Sequence, residues 1–281
     1  MGGGWQGGGW QGGGWQGGGW QGGGGGVPTF AMRADKPFAD FNIPVSKLNT
    51  GATYPDFPKR YWDPDLFALT ILPEFFGLPD PGGGGGLAWR TITVPSDTFS
   101  QADMVADIQK MLILAVTERP EALGEIIQQD QNLQLSWLQL LMMDESTHPC
   151  TFLLMKLAAR VGETLMMYYK RQHDRPRPSQ VCPTLFPPVV VPGHGSYPAG
   201  HALIGQLTSL CLNEVVPSRD LALFELARRA AFNRVIAGLH YPSDCDAGVF
   251  IANQIPAILN LCPTYKLVKD ELALRKEWDH Q

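Results

Sequence analysis

The chain has 281 residues, of which 44% are hydrophobic and 17% charged, with a net charge of −5. That composition excludes a wholly disordered chain and supplies enough apolar material for a core. The acidic balance excludes a general nucleic-acid binder, because no broad Lys/Arg excess exists to displace counterions from a polyphosphate backbone. Any anion must therefore be met at a local site.

Residues 1–26 form a low-complexity tail in which Trp5, Trp10, Trp15 and Trp20 recur every five residues within Gly-Gly-Gly-Trp-Gln repeats. That period fits neither a strand nor a helix, so no regular packing is expected there. Residues 27–99 are rich in proline and aromatics and lack periodicity. They read as an irregular segment wrapping a helical body, with Gly82 to Gly86 as a flexible break and a strand-like run from Leu87 to Val94. From Ser100 the apolar steps become three and four. Helices are expected from Ser100 through Ala115 and over 121–131, 133–143, 149–172, 199–214, 218–238 and 242–260, punctuated by Pro120, Pro149, Pro217 and Pro242. The proline-rich loop between 173 and 198 is long for a compact domain, which points to function. The catalytic unit is placed at 100–265, followed by a charged tail over 266–281. The fold class is all-α, a helical bundle.

No stretch reads as a membrane span, since the apolar runs near 151–169 and 248–262 are interrupted by charged or amide side chains. The opening Gly/Trp segment lacks the pattern of a secretory signal, so a cytoplasmic or otherwise soluble location is expected. Cys150, Cys182, Cys211, Cys245 and Cys262 have no zinc spacing and, being odd in number, suggest free thiols.

Three segments carry chemistry. Lys170 to Pro178 gathers four cations and one acid at a helix end. Gly193 to His201 leads through glycines into a helix whose first turn offers free N–H groups to an anion and carries His201. Arg234 to Asp244 ends a helix at Gly238 and sets His240 four residues before Asp244. A carboxylate there can accept the Nδ1 hydrogen and leave the Nε2 lone pair free. Each segment alone is also explained as an ordinary helix end, turn or surface ion pair.

Taken together the segments resemble the type 2 phosphatidic acid phosphatase and vanadium haloperoxidase superfamily, whose motifs read KxxxxxxRP, PSGH and SRxxxxxHxxxD. Lys170 and Arg177-Pro178 match the first, Pro198, Gly200 and His201 the second, and Arg234, His240 and Asp244 the third. Ala199 replaces the second motif's serine and Asn233 the serine before Arg234, which predicts a weakened oxyanion site.

The resemblance implies a helical bundle and a phosphate cage of Lys170, Arg177, Gly200, Arg234 and position 199. His240 would be the nucleophile, His201 the acid, and Asp244 would orient His240, with no metal or cofactor. The same cage would hold vanadate in a haloperoxidase, with His240 ligating vanadium and His194 near the halide. A soluble phosphatase acting on small phosphomonoesters is the favoured reading. A haloperoxidase using halide and peroxide is the alternative, and a non-catalytic scaffold with a decayed site is the third. The resemblance also suggests a homodimer, with 27–81 as its interface.

Overall fold

The computed structural model describes residues 62–279. The Gly/Trp repeats and the first half of the predicted wrapping segment lie outside the described residues. Within them the chain is all-α, its helices joined by turns and one isolated β-bridge between Pro79 and Leu87.

Two short helices come first, α1 (Pro64–Ala68) and α2 (Ile71–Gly77). Asp63 starts α1 by accepting the Asp65 and Leu66 N–H groups, a side-chain N-cap. The glycine run, expected to be a flexible break, folds into a closed turn. The Asp80 N–H donates to Gly86 O, the Asp80 carboxylate accepts the Gly82 N–H, and Gly83 and Gly85 adopt positive φ. The expected strand at 87–94 is also corrected: Ala88–Thr91 is a single 3₁₀ turn with Ala88 and Trp89 buried, so its β-like residues serve packing against helices.

The helices that follow are α3 (Gln101–Thr117), α4 (Arg119–Gln131), α5 (Leu135–Leu141), α6 (Pro149–His173), α7 (Pro178–Val181), α8 (Gly200–Asn213), α9 (Asp220–Ile236), α10 (Pro242–Ala252), α11 (Ile255–Leu259) and α12 (Pro263–Arg275). Ser100 caps α3, and proline stands in the first turn of α4, α6, α7, α10, α11 and α12, where its missing N–H costs nothing. The single helix expected over 242–260 breaks at Asn253 and Gln254, with Pro256 opening α11.

Helix α8 is the central element, packed on α6, α9 and α10. Gly248 lets α10 approach its start, since a Cβ there would stand 2.6 Å from the Ala199 carbonyl oxygen. In the core, the Trp137 indole N–H reaches Ser209 Oγ at 2.9 Å.

The supposed charged tail is mostly α12, with Tyr265, Val268 and Leu272 buried. Its end serves α6: the Glu277 carboxylate accepts the Cys150 and Thr151 N–H groups, both at 2.9 Å, at the positive end of that helix. All five cysteines are free. No single described helix is long and apolar enough to cross a membrane.

Candidate active site

Helix α6 stops at Asp174, which adopts a left-handed φ of 49° and turns the chain sharply. The two arginines beyond it separate. Arg175 turns inward, donating to Asp244 Oδ1 at 2.7 Å and Ser243 Oγ at 2.9 Å. Arg177 turns toward His240, with Nη1 at 2.9 Å from Leu239 O and 3.3 Å from His240 Nε2, and with Nη2 at 3.1 Å from His194 Nδ1. Lys170, in the last turn of α6, is buried and gives its ammonium to Gly195 O at 2.8 Å and Ser196 O at 2.9 Å.

The second wall is the start of α8. Gly200 leaves room there for Met166 of α6, whose thioether sulfur would have to move for any Cβ at this position. The first-turn N–H groups of α8 have no intrahelical acceptor. His201 Nε2 sits 3.1 Å from the Gln129 carbonyl oxygen at the end of α4. A carbonyl only accepts, so this nitrogen carries the hydrogen and Nδ1 is the exchanging atom.

The third wall comes from α9 and α10. Gly238 (φ 80°) ends the helical run and lets the chain reverse so that His240 faces back. His240 Nδ1 lies 3.3 Å from Asp244 Oδ2, which also accepts the Tyr241 N–H at 2.9 Å. Arg234 is fully buried, with Nη2 donating to Ile126 O at 2.9 Å and reaching Gln129 Oε1 at 3.3 Å. Its Nε and Nη1 donate to no protein acceptor, the nearest carboxylate oxygen, on Asp130, standing 3.8 Å from Nη1. Asn233 does not take over the role of the family serine; its amide binds Glu125 Oε2 and Gln129 Oε1, bracing α4 against α9.

Arg177, His194, Gly200, His201, Arg234 and His240 thus line one cleft, which continues past Asp130, Arg160 and Glu163 and the apolar side chains of Leu133, Met166 and Ile204. Two sequence assignments need correction. Lys170 does not line this cleft, because its ammonium is held by two carbonyls and borders a separate hollow with Met167 and Arg171. Ala199 is fully buried in an apolar cluster with Met111, Ala202 and Tyr241, its N–H on Asp244 O, so its methyl is a packing group. Asp244 stands behind His240, its Oδ2 3.3 Å from Nδ1, the place the sequence reading gave it. Arg175 and Gln129 are the residues sequence reasoning missed. Arg175 had a signal in the Arg-Pro-Arg-Pro run, whereas Gln129 is one polar residue among many on an amphipathic helix.

Burial, reinforced by Arg177, Lys170, His194 and Arg234, holds His240 well below its usual range and therefore neutral. Burial and then Arg234 do the same to His201. His194 is pushed down to about 4 by burial, Lys170 and Arg177. Burial also lowers the Arg177 and Arg234 guanidiniums to about 10, and both remain charged at neutral pH. The Asp244 carboxyl is pushed up by burial, with Arg175 the strongest opposing influence. Two buried guanidiniums, Arg177 and Arg234, face one cleft, and the Nε and Nη1 hydrogens of Arg234 that lack a protein acceptor suit the oxygens of an anion.

The sequence model of the PAP2 superfamily matches residues 149–266, the stretch that holds all three motifs. The chain is 41% identical over 76 residues to the non-specific acid phosphatase of Salmonella typhimurium, a match covering 26% of this chain and 29% of that protein. It is 34% identical over 88 residues to the non-specific acid phosphatase of Providencia stuartii, covering 30% of this chain and 36% of that protein. The match thus spans about a third of the length of these curated relatives. Among solved structures, the transmembrane PAP2 type phosphatidylglycerolphosphate phosphatase from Bacillus subtilis is similar with a TM-score of 0.41 at 18% identity, over 74% of this chain and 92% of that one. Residues 149–266 of this protein are thus similar to the PAP2 superfamily.

Proposed function

We propose that the cleft is the active site of a phosphatase that hydrolyses phosphate monoesters through a phosphohistidine at His240. The observation that carries this reading is the pairing of Arg234, with two buried N–H groups lacking a protein acceptor, and a neutral His240 whose Nε2 lone pair faces Arg177 in the same cleft. The acid phosphatase relatives support the same reaction class.

In this reading the phosphoryl oxygens take the hydrogens of Arg177 and Arg234 and the first-turn N–H groups of α8, which neutralises charge without reorganisation at the moment of reaction. Arg177 Nη1 shifts from His240 Nε2 to a phosphoryl oxygen, releasing the lone pair. Nε2 attacks phosphorus, the bond to the ester oxygen breaks, and that oxygen takes the proton that His201 Nδ1 accepted from the entering phosphate monoanion. Asp244 accepts the Nδ1 hydrogen and stabilises the ring as it gains positive character. Water then gives a proton to His201 and attacks phosphorus. The P–N bond breaks, its electron pair returns to Nε2, and phosphate leaves.

The same donor set fits orthovanadate, with His240 Nε2 as its ligand and Arg177 and Arg234 on its oxygens. Bound there, vanadate would supply peroxide activation and halide oxidation, a second reading to which His194 beside Arg177 lends support. Rapid-quench labelling with a phosphorus-labelled ester tests the first reading. An acid-labile, alkali-stable phosphoprotein is expected, absent in His240→Ala, which is inactive on p-nitrophenyl phosphate. Near-wild-type hydrolysis by His240→Ala would overturn it, and vanadate-dependent bromination of monochlorodimedone would favour the second.

A further inference from the structure

Arg175 falls at a variable position of the first motif, yet its side chain is held from several sides at once. Its guanidinium carbon lies over two rings, 4.3 Å from the Tyr197 centroid and 4.8 Å from that of Phe99, and the residue is only 7% exposed. A guanidinium packed over aromatic rings keeps its edges free for hydrogen bonds in its own plane. One edge meets Asp244 Oδ1 at 2.7 Å and Ser243 Oγ at 2.9 Å, and the other meets the Asp97 carbonyl at 2.9 Å.

We propose that Arg175 is the positioning residue of the nucleophile, a third member of a line His240–Asp244–Arg175 that fixes which ring nitrogen of His240 carries the hydrogen. The inference rests on the reading of His240 as nucleophile. Asp244 has no exposed surface, and its two oxygens have divided tasks: Oδ2 accepts the Tyr241 N–H and faces His240 Nδ1, while Oδ1 faces Arg175. Among the described residues no other cation bonds this carboxylate, because the nearby Lys170 ammonium is taken up by Gly195 O and Ser196 O. The Arg175 Nη1–Oδ1 bond therefore anchors one end of the carboxylate, and that anchor keeps Oδ2 turned toward the Nδ1–H. Arg175 touches neither the cleft nor the reacting atoms; its effect on chemistry passes through Asp244.

The test uses the full chain carrying Arg175→Ala or Arg175→Lys. Arg175→Ala is expected to lower kcat/KM on p-nitrophenyl phosphate by about 10–100-fold, the usual cost of losing an outer orienting partner. Orthovanadate affinity stays near wild type, because Arg177 and Arg234 are intact. Added guanidinium chloride at millimolar concentration restores part of the rate. Nitrogen-15 NMR of the imidazoles shows the hydrogen of His240 on Nδ1 in the wild-type protein and a tautomer mixture in the variant. A folded Arg175→Ala whose rate guanidinium does not raise and whose His240 tautomer is unchanged overturns the proposal.

If Arg175→Ala does not fold, Arg175→Lys decides: a lowered rate with mixed tautomers supports the proposal, and wild-type rate with the wild-type tautomer overturns it. The NMR arm needs no turnover, so it separates the two ideas. Tautomer mixing in the Arg175 variants together with an active His240→Ala would uphold the positioning role and sink the nucleophile.

Discussion

His201 Nε2 and the main-chain oxygen of Gln129 stand 3.1 Å apart, joining the first turn of α8 to the end of α4, 72 residues earlier. The contact fixes the ring's orientation through backbone, so no side-chain substitution at 129 removes the acceptor itself. It also leaves Nδ1 as the atom that exchanges a proton with the ester oxygen.

Replacing His201 by Asn is therefore expected to cost most where the leaving group needs a proton. kcat/KM on an alkyl phosphate should fall by about 10²–10⁴-fold, the range of general acid catalysis. The loss on p-nitrophenyl phosphate should be smaller, because nitrophenolate departs unaided. Steady-state kinetics on the two esters checks this, and equal losses would remove His201 from the acid's role.

Arg234→Met should abolish the anion site while sparing the fold. Each charge-assisted hydrogen bond contributes about 1.5–3 kcal/mol, so orthovanadate binding by calorimetry should weaken at least about tenfold. The free protein should lose little stability, because the substitution removes a buried cation with two N–H groups lacking acceptors. Phosphate should raise the melting temperature of the wild type and not that of the variant.

Stability should decline on acidification through His194. Its ring titrates near 6.5 in the unfolded chain and at about 4 in the fold. Between those values the unfolded state binds more protons, so stability is complete above pH 6.5 and is lost as pH falls toward 4. His201 and His240, also lowered, act with the same sign. Urea unfolding across this window should show a shallower slope for His194→Gln than for the wild type, and identical slopes would contradict the assignment.

Glu277→Ala should destabilise without touching catalysis. Its carboxylate also accepts the Thr151 hydroxyl at 2.7 Å, and loss of an N-cap costs about 0.5–2 kcal/mol. A lower melting temperature with unchanged kcat/KM is the expected pair of results.

The helices were legible in the sequence wherever a cap, a proline or a sustained apolar period acted over a few residues, as at Ser100, Pro120, Pro149 and Gly238. Residues 87–94 and 266–275 were misread because short segments take the conformation their packing dictates. The three motifs pointed to polar residues near the cleft through the family resemblance that their combined spacing carries, each segment alone being equally an ordinary helix end or turn.

What spacing could not decide was direction. Lys170 and Ala199 belong to the motifs yet face a pair of carbonyls and an apolar cluster, while Arg175, two residues before the motif arginine, supports the carboxylate behind the nucleophile. Gln129 enters through α4, outside the matched stretch altogether. Local sequence determined which side chains were available near the cleft; the packing of α4, α6, α8, α9 and α10, whose contacts join residues far apart in the chain, decided which of them line it.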